Sequence, residues 1–268
     1  MDIAIITIGD EILTGRTLDY NSHWIAKRIT GLGFNVKLKL SVQDNINEIV
    51  DALNYSKNKG VELIITTGGL GPTPGDVTFE AVAKFADKRL VLDKRALEMV
   101  KERYLTLYQL GFVESPEITK SREKMAKIPE GSIPFYNPIG VAPGIFLHLD
   151  SLKIISLPGV PSEMMYLLEM ILPLLGSGGG VTRIRETTVL EGDESKLSRI
   201  FEKIMKEIPQ VYLKSYPLGF GEVVKMRVIG IAKGSNIEEA ERYLNQAFEL
   251  LEMYFIRNKE KKKGFSSD

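Results

Sequence analysis

The residues TTGGLGPTPGDVT at positions 66–78 follow directly on the apolar run Val61-Glu62-Leu63-Ile64-Ile65, and their types suit the binding of an anion. Gly68, Gly69 and Gly71 can take positive φ and let backbone N–H groups approach a ligand closely, while Pro72 and Pro74 stiffen the far side of the turn. Asp76 or Thr78 is expected to cap a helix beginning near Phe79, whose unpaired N–H groups and dipole favour a phosphate beside it. The Asp76 carboxylate would repel that phosphate unless a cation bridges the two, which points to a metal-assisted phosphate site. A tight strand-to-helix turn accounts for the same glycines and prolines without any ligand. Glycine, proline, hydroxyl and acid together favour the anion. The pattern is neither GxGxxG nor GxxxxGK[ST], and with no lysine in the loop it speaks against a P-loop NTPase and a Rossmann dinucleotide site.

Further carboxylates fall at equivalent places. Asp10, Glu11, Asp44 and Glu163 each follow a run that reads as a strand, so the fold would gather them with Asp76 at one edge. One or two such acids plus substrate phosphates can hold Mg²⁺, leaving another to position water. Singly, each has a plainer role: Asp44 can close an Asx turn and Glu163 can favour a helix N-terminus. Asp76 is the first candidate, Asp44 and Asp10 the next, Glu163 the last. The chain has no cysteine and two histidines, His23 and His148. Disulfides, thiolate sites and a cysteine nucleophile are excluded, and a metal would be held by oxygen as Mg²⁺, Mn²⁺ or a monovalent ion. His23 reads as a helix-surface residue and His148 as a strand side chain. No GxSxG or SxxK stands in a context suited to a serine nucleophile.

The elements that must position these groups alternate. Residues 3–8 form a β-branched run suited to a strand buried on both faces. Asn21-Ser22 is expected to cap a helix through about Leu32, stopped by Gly31 and Gly33. Residues 34–42 alternate like a strand, Asp44-Asn45 turns the chain, and residues 46–59 carry apolar side chains on one helical face. Residues 61–66, the glycine loop and a helix at 79–85 complete a third βα unit. Repeated βαβ connections imply a parallel sheet covered by helices on both faces, with ligands beyond the carboxyl ends of its strands. A helix is expected at 94–109, short strands and turns in the proline-rich stretch 128–144, a strand at 152–157, and a helix at 164–175 entered through Pro158-Gly159-Val160-Pro161-Ser162-Glu163.

At 268 residues the chain suits a large domain plus a small one. The glycine-rich stretch 176–180 reads as the linker between a first domain at 1–175 and a second at 181–257, with a basic tail at 258–268. The second domain reads as βαββα. Lys+Arg and Asp+Glu balance at 35 each, so no overall field recruits nucleic acid or an anionic membrane. The first residues read as a buried strand rather than a secretion signal, and the apolar stretch near 164–175 is too short to span a bilayer. A cytoplasmic protein is expected.

The stretches IGDEILTGRTLDYNSHWIAKRITGLGFNV, Asp44-Asn45, TTGGLGPTPGDVT, NPIGVAPG at 137–144 and LPGVPSEM resemble the N-terminal domain of CinA proteins. That domain is related to the molybdopterin-binding fold of MoaB and MogA, so the resemblance implies a three-layer, mostly parallel α/β sheet. The second domain, with residues 190–195 and a turn at 219–224, is similar to the KH-like domain that follows in CinA proteins. The amidohydrolase domain of longer CinA proteins is expected to be lacking here, so its activity is not part of what the resemblance implies. What the resemblance implies is metal-dependent hydrolysis of ADP-ribose or a related dinucleotide, with Mg²⁺ or Co²⁺ and with potassium. The alternatives are adenylyl transfer to molybdopterin, and a pterin- or nucleotide-binding module without catalysis. The diphosphate or pterin phosphate would lie on Gly68, Gly69, Gly71, Pro72, Thr73 and Thr78, with Asn21, Gly140, Gly159 and Ser162 nearby. Asp10, Glu11 and Asp76 would hold the metal, and Asp76 and Asp44 would act in catalysis. Many relatives carry two successive acids where this chain has Gly75-Asp76. A homo-oligomer is expected, and the turn at 219–222 lacks the basic GxxG grip on nucleic acid.

Overall fold

A computed structural model describes residues 1–175, 180–190, 194–217 and 225–263. Contacts divide the chain into two compact units, Met1–Ile29 with Phe34–Gly176, and Thr30–Gly33 with Ser177–Asp268. The linker at 176–179, the turn at 219–224 and the tail at 264–268 lie outside the described residues, as do residues 191–193 of the stretch 190–195.

The first unit is built on β1 (Asp2–Ile8), whose residues from Ile3 onward are all buried. β1 runs parallel to β2 (Asn35–Val42) on one side and β3 (Leu63–Thr67) on the other. β8 (Leu152–Leu157) continues the parallel set, whereas β7 (Gly144–Leu149) and β6 (Ile133–Phe135) pair antiparallel beyond it. The order β2-β1-β3-β8-β7-β6 is therefore a mixed, mostly parallel sheet rather than a wholly parallel one. Hairpin-scale connections make the reversal: Asp150 and Ser151 alone join β7 to β8, too few for a crossover. A further short antiparallel pair joins β4 (Leu90–Leu92) to β5 (Lys127–Pro129).

Burial follows from residue type. On one face Ala4, Ile6 and Ile64 pack with Ile49 and Leu53 of α3 (Ile46–Asn58) and Val82 of α4 (Thr78–Phe85). Ile3 and Ile5 alternate to the other face and are equally buried, as are Ile25 of α2 (Tyr20–Gly31) and Leu167 of α7 (Pro161–Ile171). Burying each such aliphatic side chain contributes about 1.5–3 kcal/mol. Arg28 of α2 grips Glu169 of α7 through Nε (2.5 Å) and Nη2 (2.9 Å). α5 (Lys94–Gln109) is capped by Asp93 and α6 (Lys120–Lys124) by Thr119. A 3₁₀ turn, Leu172–Leu175, ends the unit, so the helix expected through residue 175 stops earlier.

Asn21 and Ser22 do not cap α2. Asp19 does, accepting from the Ser22 amide at 3.0 Å, which leaves both residues buried in the first turn of the helix. No helix among the described residues is long and apolar enough to cross a membrane.

In the second unit β9 (Val181–Leu190), β11 (Lys225–Gly234) and β10 (Val211–Pro217) form an antiparallel sheet in the order β10-β11-β9. Leu213 and Val228 pack with Leu197 and Phe201 of α8 (Glu194–Glu207) and with Phe248 of α9 (Ile237–Lys263). Gly230 is required on β11 because a Cβ there would lie 2.5 Å from the Phe248 ring.

Candidate functional site

The carboxyl ends of β1, β2, β3 and β8 open into one cavity of about 500 Å³. Gly9 and Glu11 enter it after β1, Asp44 after β2, Gly68 to Pro72 with Asp76 after β3, and Pro158, Gly159, Val160 and Glu163 after β8. Tyr104 of α5, Met125 and the segment Gly140-Val141-Ala142 complete the wall.

The glycine loop depends on two backbone conformations that exclude a side chain. Gly68 has φ 106° and Gly69 has φ 65°, and a Cβ on them would strike the Ile8 carbonyl and the Thr78 hydroxyl respectively. Thr78, fully buried, ties the loop to the start of α4 by donating its hydroxyl to Gly68 O at 2.8 Å and its amide to Gly69 O at 3.1 Å. Gly68 N donates to Leu157 O. Among the described residues the amides of Gly69, Leu70 and Gly71 have no partner within the protein. Successive unpaired amides on a loop before a helix form a ready anion cradle.

Neither Asp76 nor Thr78 caps α4, as was expected from the sequence. Val77 holds that position without a side-chain bond. Asp76 turns back instead, its Oδ2 accepting from the amide (2.8 Å) and the hydroxyl (2.5 Å) of Thr73. The reach is local: a three-residue loop places a carboxylate on its own turn more readily than on the helix ahead. Lys124 of α6 donates to Thr73 O at 2.7 Å, bringing to the loop the cation its sequence lacks.

Asp44 accepts from the Asp10 amide at 3.2 Å, at the start of the single-turn α1 (Asp10–Leu13). Burial, foremost, and the nearby charges of Asp10, Glu11 and Asp76 push its carboxyl above the ordinary value, against the lowering effect of the Asp10 amide. Acids at the ends of three strands therefore sense one another beside the cradle. Among the described residues no three acids or histidines are placed to hold a metal ion together. All-oxygen donors with unrelieved mutual repulsion suit a hard cation, but one held by at most two of these carboxylates, with ligand or water oxygens completing its shell.

A second polar centre lies at the Asn137 turn. Asn137 is buried, and its Oδ1 accepts from the amides of Ile139 (3.2 Å) and Gly140 (2.9 Å). Its Nδ2 donates to Ala142 O at 2.9 Å and to Glu163 Oε2 at 2.7 Å. Arg103, also buried, donates to Gly140 O at 2.7 Å and to Ile139 O at 3.3 Å. Gly140 packs so closely on the Glu163 carboxylate that a Cβ there would overlap it. Burial pushes the Glu163 carboxyl above its ordinary value, opposed by the Asn137 hydrogen bond and the Arg103 charge.

Of the residues singled out from the sequence, Gly68, Gly69, Gly71, Pro72, Asp76, Asp44, Glu11, Gly140 and Gly159 line the cavity. Others sit behind it. Asn21 Nδ2 donates to Thr67 Oγ1 (2.9 Å) and Gly159 O (2.8 Å), and Thr67 donates to Pro158 O (2.9 Å), so Asn21 staples the loops after β3 and β8 together. Thr73 and Thr78 shape the glycine loop from within. Asp10 and Ser162 are exposed and outside the lining, and Asp10 contributes its amide. His23 and His148 are exposed, away from the cavity. A Cβ on Gly75 would meet nothing nearer than Thr73 Oγ1 at 3.9 Å, so a second acid there has room.

Sequence reasoning missed Tyr104, Arg103, Asn137 as a side chain, and Lys124. All four come from the segment between β4 and β7. Proline and glycine in NPIGVAPG marked a turn without showing that its asparagine would clamp an acid from another element.

An α/β sheet whose glycine-rich and acidic strand-end loops open into one cavity defines a class of ligand-binding α/β domain. The chain belongs to the family of probable molybdopterin-binding domains, whose pattern matches residues 4–177. It is similar to protein PF0476 of Pyrococcus furiosus, 43% identical over 227 residues that make 84% of this chain and 88% of that one. It is also similar to protein PYRAB15930 of Pyrococcus abyssi, 36% identical over 262 residues, 97% of this chain and 99% of that one. Among solved structures it resembles the protein CinA, of unknown function, from Thermoplasma acidophilum: 36% identity, TM-score 0.59, over 65% of this chain and 99% of that one.

Proposed function

We propose that the first unit binds a pterin or nucleotide through its phosphate, which lies on the amides of Gly69, Leu70 and Gly71. The observation that carries this reading is those three amides, unpaired among the described residues, on residues that line the cavity. Family membership supports a pterin as the organic part. Calorimetric titration with a pterin monophosphate, with and without competing pyrophosphate, tests it: saturable binding displaced by pyrophosphate supports the assignment, and binding indifferent to pyrophosphate refutes it.

A second reading, hydrolysis of a dinucleotide pyrophosphate such as ADP-ribose, is favoured by the acids around the cradle, Asp44 above all. Asp44 or Asp76 would hold a divalent cation such as Mg²⁺ or Co²⁺, which supplies charge neutralisation and polarises phosphorus when bound. The amides would orient the diphosphate, and whichever of Asp44 and Asp76 is not engaged would accept a proton from the attacking water. Dependence on potassium belongs to the same proposal. Incubation with ADP-ribose, FAD and ATP, with and without metal, separates the readings: AMP release supports hydrolysis, pterin-dependent pyrophosphate release supports adenylyl transfer, and thermal stabilisation without turnover supports binding alone.

We read the βαββα order of the second unit as KH-like. A homo-oligomer in the cytoplasm, with small molecules rather than nucleic acid as ligands, completes the proposal.

A further inference from the structure

Glu163 has a role that anion binding does not require. A half-buried carboxylate beside a cavity for an anionic ligand is unfavourable unless something uses it. No ion pair neutralises it among the described residues: Arg103, whose charge acts on it, directs its guanidinium to the carbonyls of Ile139 and Gly140. Asn137 spends all its polar atoms on the turn and on Glu163 Oε2, which fixes the carboxylate in place. Among the described residues Oε1 has no partner. The cavity that Glu163 lines has apolar lining residues as well, Val141, Ala142, Met125 and Tyr104, and the Arg122 guanidinium lies 3.9 Å from the centroid of the Tyr104 ring.

Resting on the phosphate-binding reading above, we propose that Glu163 is the specificity residue for the ligand's ring. It would accept hydrogen bonds from an amidine-like edge, adjacent ring N–H and amino groups, as found in pterins and guanine and absent from adenine. The chemistry is that of a fixed two-oxygen acceptor against a two-donor edge, with the ring between apolar walls. The amino group of guanine and of pterin occupies the same relation to the ring N–H, so a guanine nucleotide is a faithful stand-in for the pterin.

Affinities of GMP, IMP and AMP for the full-length protein test this, since the three share a phosphate and differ at the ring edge. GMP should bind at least about tenfold more tightly than AMP, with IMP, which lacks the amino donor, between them. In Glu163→Gln, Asn137 would hold the amide oxygen and turn the amide NH₂ toward the ligand, so the GMP preference should vanish or invert. Thermal melting of the variant establishes that it is folded. Equal binding of GMP and AMP by the natural chain, or an undiminished GMP preference in folded Glu163→Gln, overturns the assignment of Glu163 while leaving the phosphate cradle standing. Failure of all three nucleotides and of pyrophosphate to bind overturns the cradle, and the ring recognition with it.

Discussion

The glycine loop and the Asn137 turn line the same cavity and use hydrogen bonds in opposite ways. In the glycine loop the side chains bond inward, Asp76 to Thr73 and Thr78 to Gly68, and backbone donors are left over. In the Asn137 turn Asn137 and Arg103 engage the amides of Ile139 and Gly140 and the carbonyls of Ile139, Gly140 and Ala142, and a side-chain acceptor, Glu163 Oε1, is left over. A cavity with free donors at one place and a free acceptor at another selects a ligand with the converse arrangement: a phosphate joined to a ring that carries N–H groups.

The largest effect expected from breaking this asymmetry is at the cradle. Gly69→Ala forces a side chain onto a φ of 65° and into the Thr78 hydroxyl. It should cost about 1–3 kcal/mol of stability and weaken phosphate binding by roughly 10–100-fold, read by denaturant melts and calorimetry. Asp76→Asn keeps an acceptor for Thr73 but removes the charge. The fold should survive, while any metal-dependent hydrolysis of ADP-ribose falls by at least about 100-fold. Near-normal turnover would remove Asp76 from the chemistry. Arg103→Met removes the hydrogen bonds that the buried guanidinium donates to the carbonyls of Ile139 and Gly140 and should cost about 1–3 kcal/mol. If the two regions are independent, it should lower the GMP-to-AMP binding ratio while pyrophosphate binding stays within about threefold.

The smallest effect is a dependence on pH. Glu163 has a folded-state pKa raised above its ordinary 4.5, so the stability linked to its protonation is fully present below that value and is lost as pH rises through the folded value. Glu163→Gln should therefore be more stable than the natural chain at neutral pH, by an amount that shrinks as the pH falls to about 4. A constant difference across that range would show that burial of the charge has no energetic consequence for the fold.

Much of the cradle was legible in the sequence because its determinants are local. Gly68, Gly69 and Thr78 lie within eleven residues of one another, and the strands that carry them announce themselves as β-branched runs. The caps were misread where two polar residues competed. Asp19 and Asn21-Ser22 both suit a helix start, and Asp76 suits its own turn as well as a cap, so residue type could not decide between them. The antiparallel edge was hidden because β7 and β8, read one at a time, look like any buried strands. The Asn137 turn was least legible of all. Its partners Arg103 and Glu163 are separated from it by 34 and 26 residues, and only packing of α5 and α7 against the turn brings them together.

The central claim is that the amides of Gly69, Leu70 and Gly71 hold phosphate. Backbone amide NMR of the deuterated, ¹⁵N-labelled protein, titrated with inorganic pyrophosphate, addresses it directly. The account predicts that these three resonances move together, saturate with a single Kd, and stop responding in Gly69→Ala. Saturable shifts confined to other residues, with these three amides unmoved, would contradict it.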